Sequence, residues 1–197
     1  MSAYAESMSA LKDYRKRIEG LRAEMRQVQA AVEPEEVADY VFQTPDGPVK
    51  LSQLFGAKKD LFVIHNMGKA CVACTMWADG YNGIYDHLAD RAAFVISSPD
   101  TPEVQKAFAE SRGWRFPMVS HVGTTFAEDM GYRGEKGWWP GISVFRKEGD
   151  KVMRVSDTVL GPDDDFNAAW HMFAMLPEGA NGWRPKYEYK PETVGAA

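Results

Sequence analysis

The two cysteines of the chain stand three positions apart, in the stretch Cys71-Val72-Ala73-Cys74. The apolar run of residues 61–64 precedes them and predicts a buried strand, and a helix is predicted to begin at Val72. The nucleophile in thiol–disulfide exchange is the thiolate, whereas a free cysteine with a pKa of ~8.5 is mostly protonated at neutral pH. A helix N-terminus stabilises a sulfur anion through its unpaired N–H groups and its partial positive charge. The spacing therefore predicts a redox-active dithiol in which Cys71 attacks and Cys74 resolves.

Two other uses of the cysteines stay open at this point. Both side chains can be small buried hydrophobes, or they can bind Cu(I), which prefers soft thiolates, together with His65 or His121 if the fold brings one of them close. A structural zinc site needs four ligands at close spacing. The chain has no second cysteine pair and its four histidines are scattered, so we predict no zinc site and assign no metal ligand.

Composition excludes several classes of protein. The chain has 197 residues, of which 45% are hydrophobic and 26% are charged, as in soluble globular proteins. A net charge of −5 argues against nucleic acid as a partner. The first residues have no apolar segment of the kind found in secretory signals, and no apolar run approaches the ~20 residues that span a bilayer. We therefore expect a cytoplasmic protein that does not interact with membranes.

Residues 4–32 predict one amphipathic helix, which Pro34 prevents from continuing. Its apolar residues recur at steps of three and four, which is typical of a coiled-coil seam or of a stripe that packs on a protein body. They are Tyr4, Leu11, Tyr14, Ile18, Leu21, Met25, Val28 and Val32. Because either surface can belong to a second subunit, a homodimer is one expectation.

The remaining chain alternates strand and helix patterns. A hairpin with Asp46-Gly47 in its turn comes first, and strands at 61–64 and 93–98 then alternate with helices at 72–90 and 101–111. Residues 116–120 lead into a short predicted helix at 124–130. A second hairpin spans residues 140–155, and a last helix at 162–176 is predicted to turn Phe166, Trp170 and Phe173 inward. This order predicts an α/β fold with a parallel βαβ unit.

The element order, with C-x-x-C at the start of the first long helix of this part of the chain, resembles the thioredoxin fold. Residues 46–51, ahead of the core strand, are similar to the corresponding extension of peroxiredoxins and TlpA-like thioredoxins. In that superfamily a cis-proline faces the dithiol, and its counterpart here is Pro140. The resemblance implies that the Trp139 carbonyl and the Gly141 N–H flank a bound substrate chain next to Cys71.

More narrowly, the chain is similar to an uncharacterised thioredoxin-like family, a domain of unknown function, whose members carry C-x-x-C followed by W-A-D-G. The matching stretches are Cys71 to Gly80, Arg112-Gly113-Trp114, Pro140 to Phe145, and Gly182-Trp183 with Tyr187-Glu188-Tyr189. The resemblance implies a thioredoxin-like domain at residues 34–180, with a central mixed sheet flanked by helices. An N-terminal helical extension at 1–33 and an aromatic C-terminal tail at 181–197, expected to dock on the domain, complete the predicted organisation.

The chain also departs from its relatives. Thioredoxins place Gly-Pro between the cysteines, where this sequence has Val72-Ala73. Peroxiredoxins carry Pro-x-x-x-Thr/Ser-x-x-Cys, but counting back from Cys71 gives Ile64 and Gly68, so that motif is absent. These differences argue against a general reductase and against an ordinary peroxiredoxin.

His65 occupies the place where thioredoxins keep a buried acid, six residues before the first cysteine. A histidine with a pKa near ~6.5 can accept the proton of the resolving thiol, so His65 is a predicted catalytic residue. The alternative is a histidine whose ring is satisfied by a backbone carbonyl. Trp77 and Trp139 are predicted substrate contacts, because aromatic rings near the dithiol can form an apolar groove, although tryptophan is more often a core residue.

The sequence thus predicts a thiol–disulfide oxidoreductase that needs no organic cofactor and no metal. Its expected partners are a disulfide-containing protein or a small-molecule thiol. The alternatives are a peroxiredoxin-like thiol peroxidase and a non-catalytic binding or metal-handling module.

Overall fold

The computed structural model of the protein describes residues 2–190, and the chain divides after Pro34 into a small N-terminal unit and a larger unit. The N-terminal unit is helix α1 (Ala3–Ala30), whose first turn is capped by the Ser2 hydroxyl, which accepts a hydrogen bond from the Ala5 N–H at 3.3 Å. The predicted long helix ending before Pro34 is therefore confirmed. No helix among residues 2–190 is long and apolar enough to cross a membrane.

Over residues 35–190 the larger unit contains ten strands, four helices and one 3-10 turn at Leu51–Gln53. Its helices are α2 (Val72–Arg91), α3 (Pro102–Arg112), α4 (Phe126–Asp129) and α5 (Ala168–Phe173). Its first six strands are β1 (Glu35–Val37), β2 (Val41–Thr44), β3 (Gly47–Lys50), β4 (Asp60–His65), β5 (Ala93–Ser98) and β6 (Met118–Ser120). The others are β7 (Arg133–Gly134), β8 (Gly137–Trp138), β9 (Gly141–Glu148) and β10 (Lys151–Val159).

Eight of the strands form one mixed sheet in the order β1-β10-β9-β4-β5-β6-β2-β3. The central strands β4, β5 and β6 are parallel, and β9 pairs antiparallel with β4. In this register His65, the last residue of β4, lies opposite Ser97 on one side and Gly141 on the other. The predicted α/β, thioredoxin-like sheet flanked by helices is confirmed.

Alternating residues of the central strands supply two core clusters on opposite sheet faces. Leu61 and Val63 belong to the first cluster, with Phe42, Phe55, Phe126, Tyr132 and Phe145. Ile64 belongs to the second, with Trp77, Ala78 and Tyr81 from α2. Packing of α2 against this second face positions the helix that carries the cysteines at its beginning.

The last helix is shorter than predicted, since it covers only Ala168–Phe173 rather than residues 162–176. The preceding segment is a turn in which the Asp164 carboxylate accepts hydrogen bonds from the backbone N–H groups of Gly161, at 3.0 Å, and Phe166, at 2.8 Å. Asn167 then caps the helix through its side-chain oxygen. These side-chain hydrogen bonds compete with the helical pattern and delay the start of the helix.

The aromatic residues near this helix differ in their burial. Trp170 is buried and Phe173 is partly buried, but Phe166 is 44% exposed, so its predicted inward orientation is wrong. The Trp183 ring packs on both helix aromatics, with centroids 5.9 Å from Trp170 and 4.8 Å from Phe173. Residues 181–190 of the C-terminal tail therefore dock on the body, as the aromatic content predicts, and residues 191–197 lie outside the described part of the chain.

Candidate redox site

Cys71 and Cys74 form a disulfide at the beginning of α2, with their Cα atoms 5.2 Å apart. Cys71 is the N-cap residue, and its sulfur accepts the Cys74 backbone N–H at 3.0 Å. The sulfur that caps a helix thus lies where N–H groups and the helix dipole favour negative charge. Cys71 is partly exposed, whereas Cys74 is only 3% exposed. Cys71 is therefore the more exposed of the two cysteines.

The turn between β4 and Cys71 is held by side chains from two directions. The Asn66 side-chain oxygen accepts the Gly68 N–H at 2.8 Å, and the Asp100 carboxylate accepts the Lys69 N–H at 2.7 Å. Gly68 has a φ of +97°, and a Cβ there would come within 3.1 Å of the Asp100 carboxylate. Because the turn needs both a left-handed residue and free space, glycine fits this position.

Six buried polar side chains, here called the polar row, lie where β4, β5 and β6 end and β9 begins. The row consists of His65, Ser97, Ser98, Ser120, His121 and Ser143. Buried polar groups of this kind are costly unless they are paired. The polar row therefore includes two buried histidines close to the end of β4, where the turn that leads to Cys71 begins.

His65 is buried between aromatic rings. Its Nε2 shares a hydrogen bond of 2.9 Å with the Ser143 hydroxyl, and its ring stacks on Tyr132 at 3.8 Å and Phe126 at 5.2 Å between centroids. Burial lowers the pKa of the imidazole well below 6.5, with smaller contributions from the charges of His121 and Arg154. The ring is therefore neutral at pH 7, and its hydrogen bond goes to a hydroxyl group rather than to the backbone carbonyl of the alternative interpretation.

The His65 side chain follows Leu61 and Val63 onto the sheet face of the first core cluster. Helix α2, which carries Cys74, packs on the other face. The proton-transfer role of His65 thus has no direct support from this placement, and it stays a prediction.

The sequence suggests His121 only as a metal ligand. In the structure its Nδ1 shares a hydrogen bond of 2.8 Å with the Ser97 hydroxyl, and its ring lies 4.9 Å from that of Trp138. Burial lowers its pKa to about 4. Within residues 2–190 no group of three or more His, Cys, Asp or Glu side chains is arranged to hold a metal ion.

Trp139, Pro140 and Gly141 lead into β9 beside the end of β4. The Trp139–Pro140 bond is trans, because the described residues contain no cis peptide bond, so the expectation of a cis-proline is corrected. The trans form is the lower-energy state of an X–Pro bond by about 0.5–1 kcal/mol. In this form the Pro140 carbonyl accepts the Leu160 N–H at 2.9 Å. The Trp139 side chain is 48% exposed and supplies an aromatic surface at this position.

Gly141 is fixed by a close approach of Tyr132. A Cβ at Gly141 would lie 1.8 Å from a ring carbon of Tyr132 and 2.7 Å from the Thr158 carbonyl oxygen. The Tyr132 hydroxyl donates to both the Ile142 and the Thr158 carbonyls, at 3.0 Å each. Only glycine leaves room for this tyrosine between the strands.

Trp77, the remaining predicted substrate contact, is a core residue. Its side chain is 3% exposed within the second cluster, and its indole N–H donates to the Asp164 carboxylate at 3.3 Å. Because so little of its surface is exposed, the Trp77 side chain packs α2 onto the sheet and does not present a ring face to a substrate. We therefore do not retain it as a substrate contact.

Sequence reasoning missed a polar cluster that joins three of the motif stretches. Asp79 forms an ion pair with Arg112 and accepts the Trp114 indole N–H at 2.8 Å. Arg112 also donates to the Tyr187 carbonyl at 2.6 Å, and its pairing with Asp79 raises the pKa of the guanidinium. The Tyr187 hydroxyl in turn donates to the Lys69 carbonyl at 2.7 Å, two residues before Cys71. The sequence signal for this cluster is that Asp79, Arg112, Trp114 and Tyr187 lie within the motif stretches that resemble the family.

Several solved structures of peroxiredoxins are similar to the chain. Peroxidoxin BcpB from Mycobacterium tuberculosis is 26% identical, with 68% of this chain and 88% of that chain covered and a TM-score of 0.53. A structure of peroxiredoxin Q from Xanthomonas campestris is 18% identical, with 61% and 80% covered and a TM-score of 0.54. Reduced Prx3 from Vibrio vulnificus, in complex with hydrogen peroxide, is 16% identical, with 68% and 87% covered and a TM-score of 0.52. These likenesses establish the fold.

No curated protein sequence matches the chain. A family model described as "Bacterial protein of unknown function (DUF899)" matches residues 1–192, which is nearly the full length. The expected kinship with an uncharacterised thioredoxin-like family is thereby confirmed. The chain belongs to the DUF899 family of bacterial proteins.

Proposed function

We propose that the protein is a thiol–disulfide oxidoreductase whose working group is the Cys71–Cys74 pair. The observation that carries the proposal is the asymmetry of the two sulfurs. Cys71 caps α2 and is partly exposed, whereas Cys74 is buried one turn further along the helix. An accessible attacking thiol next to a protected resolving thiol is the arrangement that dithiol exchange requires.

In the reducing direction the Cys71 thiolate attacks one sulfur of a substrate disulfide, and the other substrate sulfur leaves as a thiolate. The Cys74 thiol then loses its proton, attacks Cys71 in the mixed disulfide, and releases the second substrate thiolate. The protein pair is oxidised by two electrons and the substrate disulfide is reduced by two. The same steps in reverse oxidise a dithiol substrate, and a cellular thiol or disulfide restores the starting state.

The substrate in this proposal is a disulfide-containing protein or a small-molecule thiol or disulfide in the cytoplasm. The half-exposed ring of Trp139, with Pro140 and Gly141 beside the end of β4, supports contact with a substrate chain at this side of the site. Because the attacking group is a side chain of the protein itself, the exchange needs no cofactor. A homodimer formed through the apolar stripe of α1 is compatible with this chemistry.

Thiol peroxidase activity is a second candidate, favoured by the 26% identity to a mycobacterial peroxidoxin. Here the Cys71 thiolate would attack one peroxide oxygen and form a sulfenic acid while an alcohol or water leaves. Cys74 would then displace water from that sulfenic acid and form the observed disulfide. Consumption of hydrogen peroxide or an organic hydroperoxide by the reduced protein distinguishes this activity from exchange alone.

The assignment of the attacking thiol is tested with single-cysteine variants and oxidised glutathione. We expect Cys74→Ser to accumulate a stable mixed disulfide at Cys71, detected as one glutathione adduct by mass spectrometry. Cys71→Ser, which retains only the buried thiol, should react at least about tenfold more slowly. Equal rates, or faster reaction of Cys71→Ser, would contradict the assignment.

A further inference from the structure

A side-chain hydrogen bond joins the C-terminal segment 182–189 to the dithiol turn. The Tyr187 hydroxyl donates a hydrogen bond of 2.7 Å to the Lys69 carbonyl. The Tyr187 ring packs edge-on against Phe108 of α3, with centroids 6.3 Å apart. Its backbone carbonyl accepts the Arg112 guanidinium at 2.6 Å. Tyr187 is thus held at its backbone, ring and hydroxyl, and the hydroxyl binds the turn.

The backbone of Lys69 is held by side chains on both sides of its Cα atom. Its N–H is bound by Asp100 and its carbonyl by Tyr187, so both polar atoms of this backbone unit have side-chain partners. The next backbone hydrogen bond of the turn runs from the Cys71 N–H to the Gly68 carbonyl at 3.0 Å. Fixing the Lys69 carbonyl therefore fixes the backbone that enters Cys71.

The anchor of Tyr187 is itself tied to the helix that carries the cysteines. Arg112, which holds the Tyr187 carbonyl, is paired with Asp79 on α2. A closed path therefore runs from the dithiol turn through Tyr187, Arg112 and Asp79 back to α2. Such a path couples the turn and the helix N-terminus, the two parts that must stay aligned for N–H groups to face the Cys71 sulfur.

We propose that Tyr187 is a positioning residue for the dithiol, whose hydroxyl holds the Lys69 carbonyl so that the Cys71 sulfur stays at the N-terminus of α2. Its importance for turnover rests on the proposed exchange function. Its effect on the Cys71 sulfur does not require any particular substrate. Removing the hydroxyl frees the turn and weakens the stabilisation of the Cys71 thiolate.

The test compares Tyr187→Phe with Tyr189→Phe in the full chain. Tyr187→Phe deletes one oxygen and keeps the ring that packs on Phe108. Tyr189→Phe deletes a hydroxyl that accepts the Lys186 N–H, a hydrogen bond within the same segment rather than to the dithiol turn. The readout is the rate of Cys71 alkylation by iodoacetamide in the reduced proteins, followed by mass spectrometry from pH 5 to pH 10, with circular dichroism as the check on folding.

We expect Tyr187→Phe to alkylate about three- to tenfold more slowly at pH 7, with its half-maximal rate shifted to higher pH. Tyr189→Phe should follow the wild-type profile. A Tyr187→Phe profile that overlays the wild type, even with lowered thermal stability, overturns the proposal, as does an equal shift in Tyr189→Phe.

Failure of the proposed function would look different. Wild-type protein that exchanges with no disulfide would remove that function. The alkylation comparison uses no disulfide substrate, so a shifted Tyr187→Phe profile would still establish the positioning role.

Discussion

The buried imidazole of His121 predicts that the fold loses stability in mild acid. Its side chain is almost fully buried, and its Nε2 has no hydrogen-bond partner among the residues that the structure describes. Burial is the main reason why its pKa falls to about 4. The nearby charge of Glu128 opposes this shift, and that of Arg133 adds to it.

The magnitude follows from the two protonation equilibria. In the unfolded chain a histidine has a pKa near 6.5, so below that pH the unfolded state binds a proton that folded His121 does not. The stabilisation is complete above pH 6.5 and is lost progressively as the pH falls towards 4. At ~1.4 kcal/mol per pH unit, His121 accounts for a loss of about 2 kcal/mol between pH 7 and pH 5. His65, whose pKa is also lowered by burial, adds a loss in the same direction.

Urea unfolding of the oxidised protein at pH 7, 6 and 5 measures this loss. Between pH 7 and pH 5 the unfolding free energy of both proteins should decrease. We expect the decrease to be about 2 kcal/mol smaller in His121→Gln than in the wild type, because the variant lacks the buried imidazole. His87→Gln is the matched control, because His87 is exposed on α2, and it should keep the wild-type pH dependence. If His121→Gln loses as much stability on acidification as the wild type, the buried neutral state assigned to His121 is wrong.

Two further substitutions test the packing around the site. Gly141→Ala should lower the unfolding free energy by about 2 kcal/mol or more, because the new Cβ meets the Tyr132 ring. Gly134→Ala is the control, because a Cβ there has open space, and its unfolding free energy in urea should stay close to that of the wild type. Asp79→Ala should lower the unfolding free energy by about 1–3 kcal/mol, because Arg112 loses its carboxylate partner and solvent screening of this partly exposed pair limits the loss. A urea midpoint equal to that of the wild type would contradict this expectation.

The elements that position the cysteines were predictable because their signals are local. The apolar run of β4, the pattern of α2 and the two-residue cysteine spacing are all read within about 30 residues. Where side chains compete with the backbone, the prediction failed. Asp164 and Asn167 form turn and cap hydrogen bonds that shorten α5, and a pattern of apolar residues does not reveal them.

The interactions around the dithiol were less accessible from sequence, because they join distant parts of the chain. Tyr187 contacts Lys69 across 118 positions and Arg112 across 75. Side chains alternate between the two faces of a strand, so His65 lies on the sheet face opposite to the one that α2 covers. The distance between His65 and Cys71 in sequence does not reveal this placement. Such features follow from register and docking, which composition and periodicity do not specify.

A redox titration of the Cys71–Cys74 pair tests the central claim most directly. Purified protein is equilibrated in glutathione and dithiothreitol buffers of graded potential, and free thiols are counted by mass-tag labelling. We predict one reversible two-electron transition between about −300 and −120 mV, without loss of the folded structure. Thiols that never pair, or a disulfide that is reduced only when the protein unfolds, would contradict a redox role for this site.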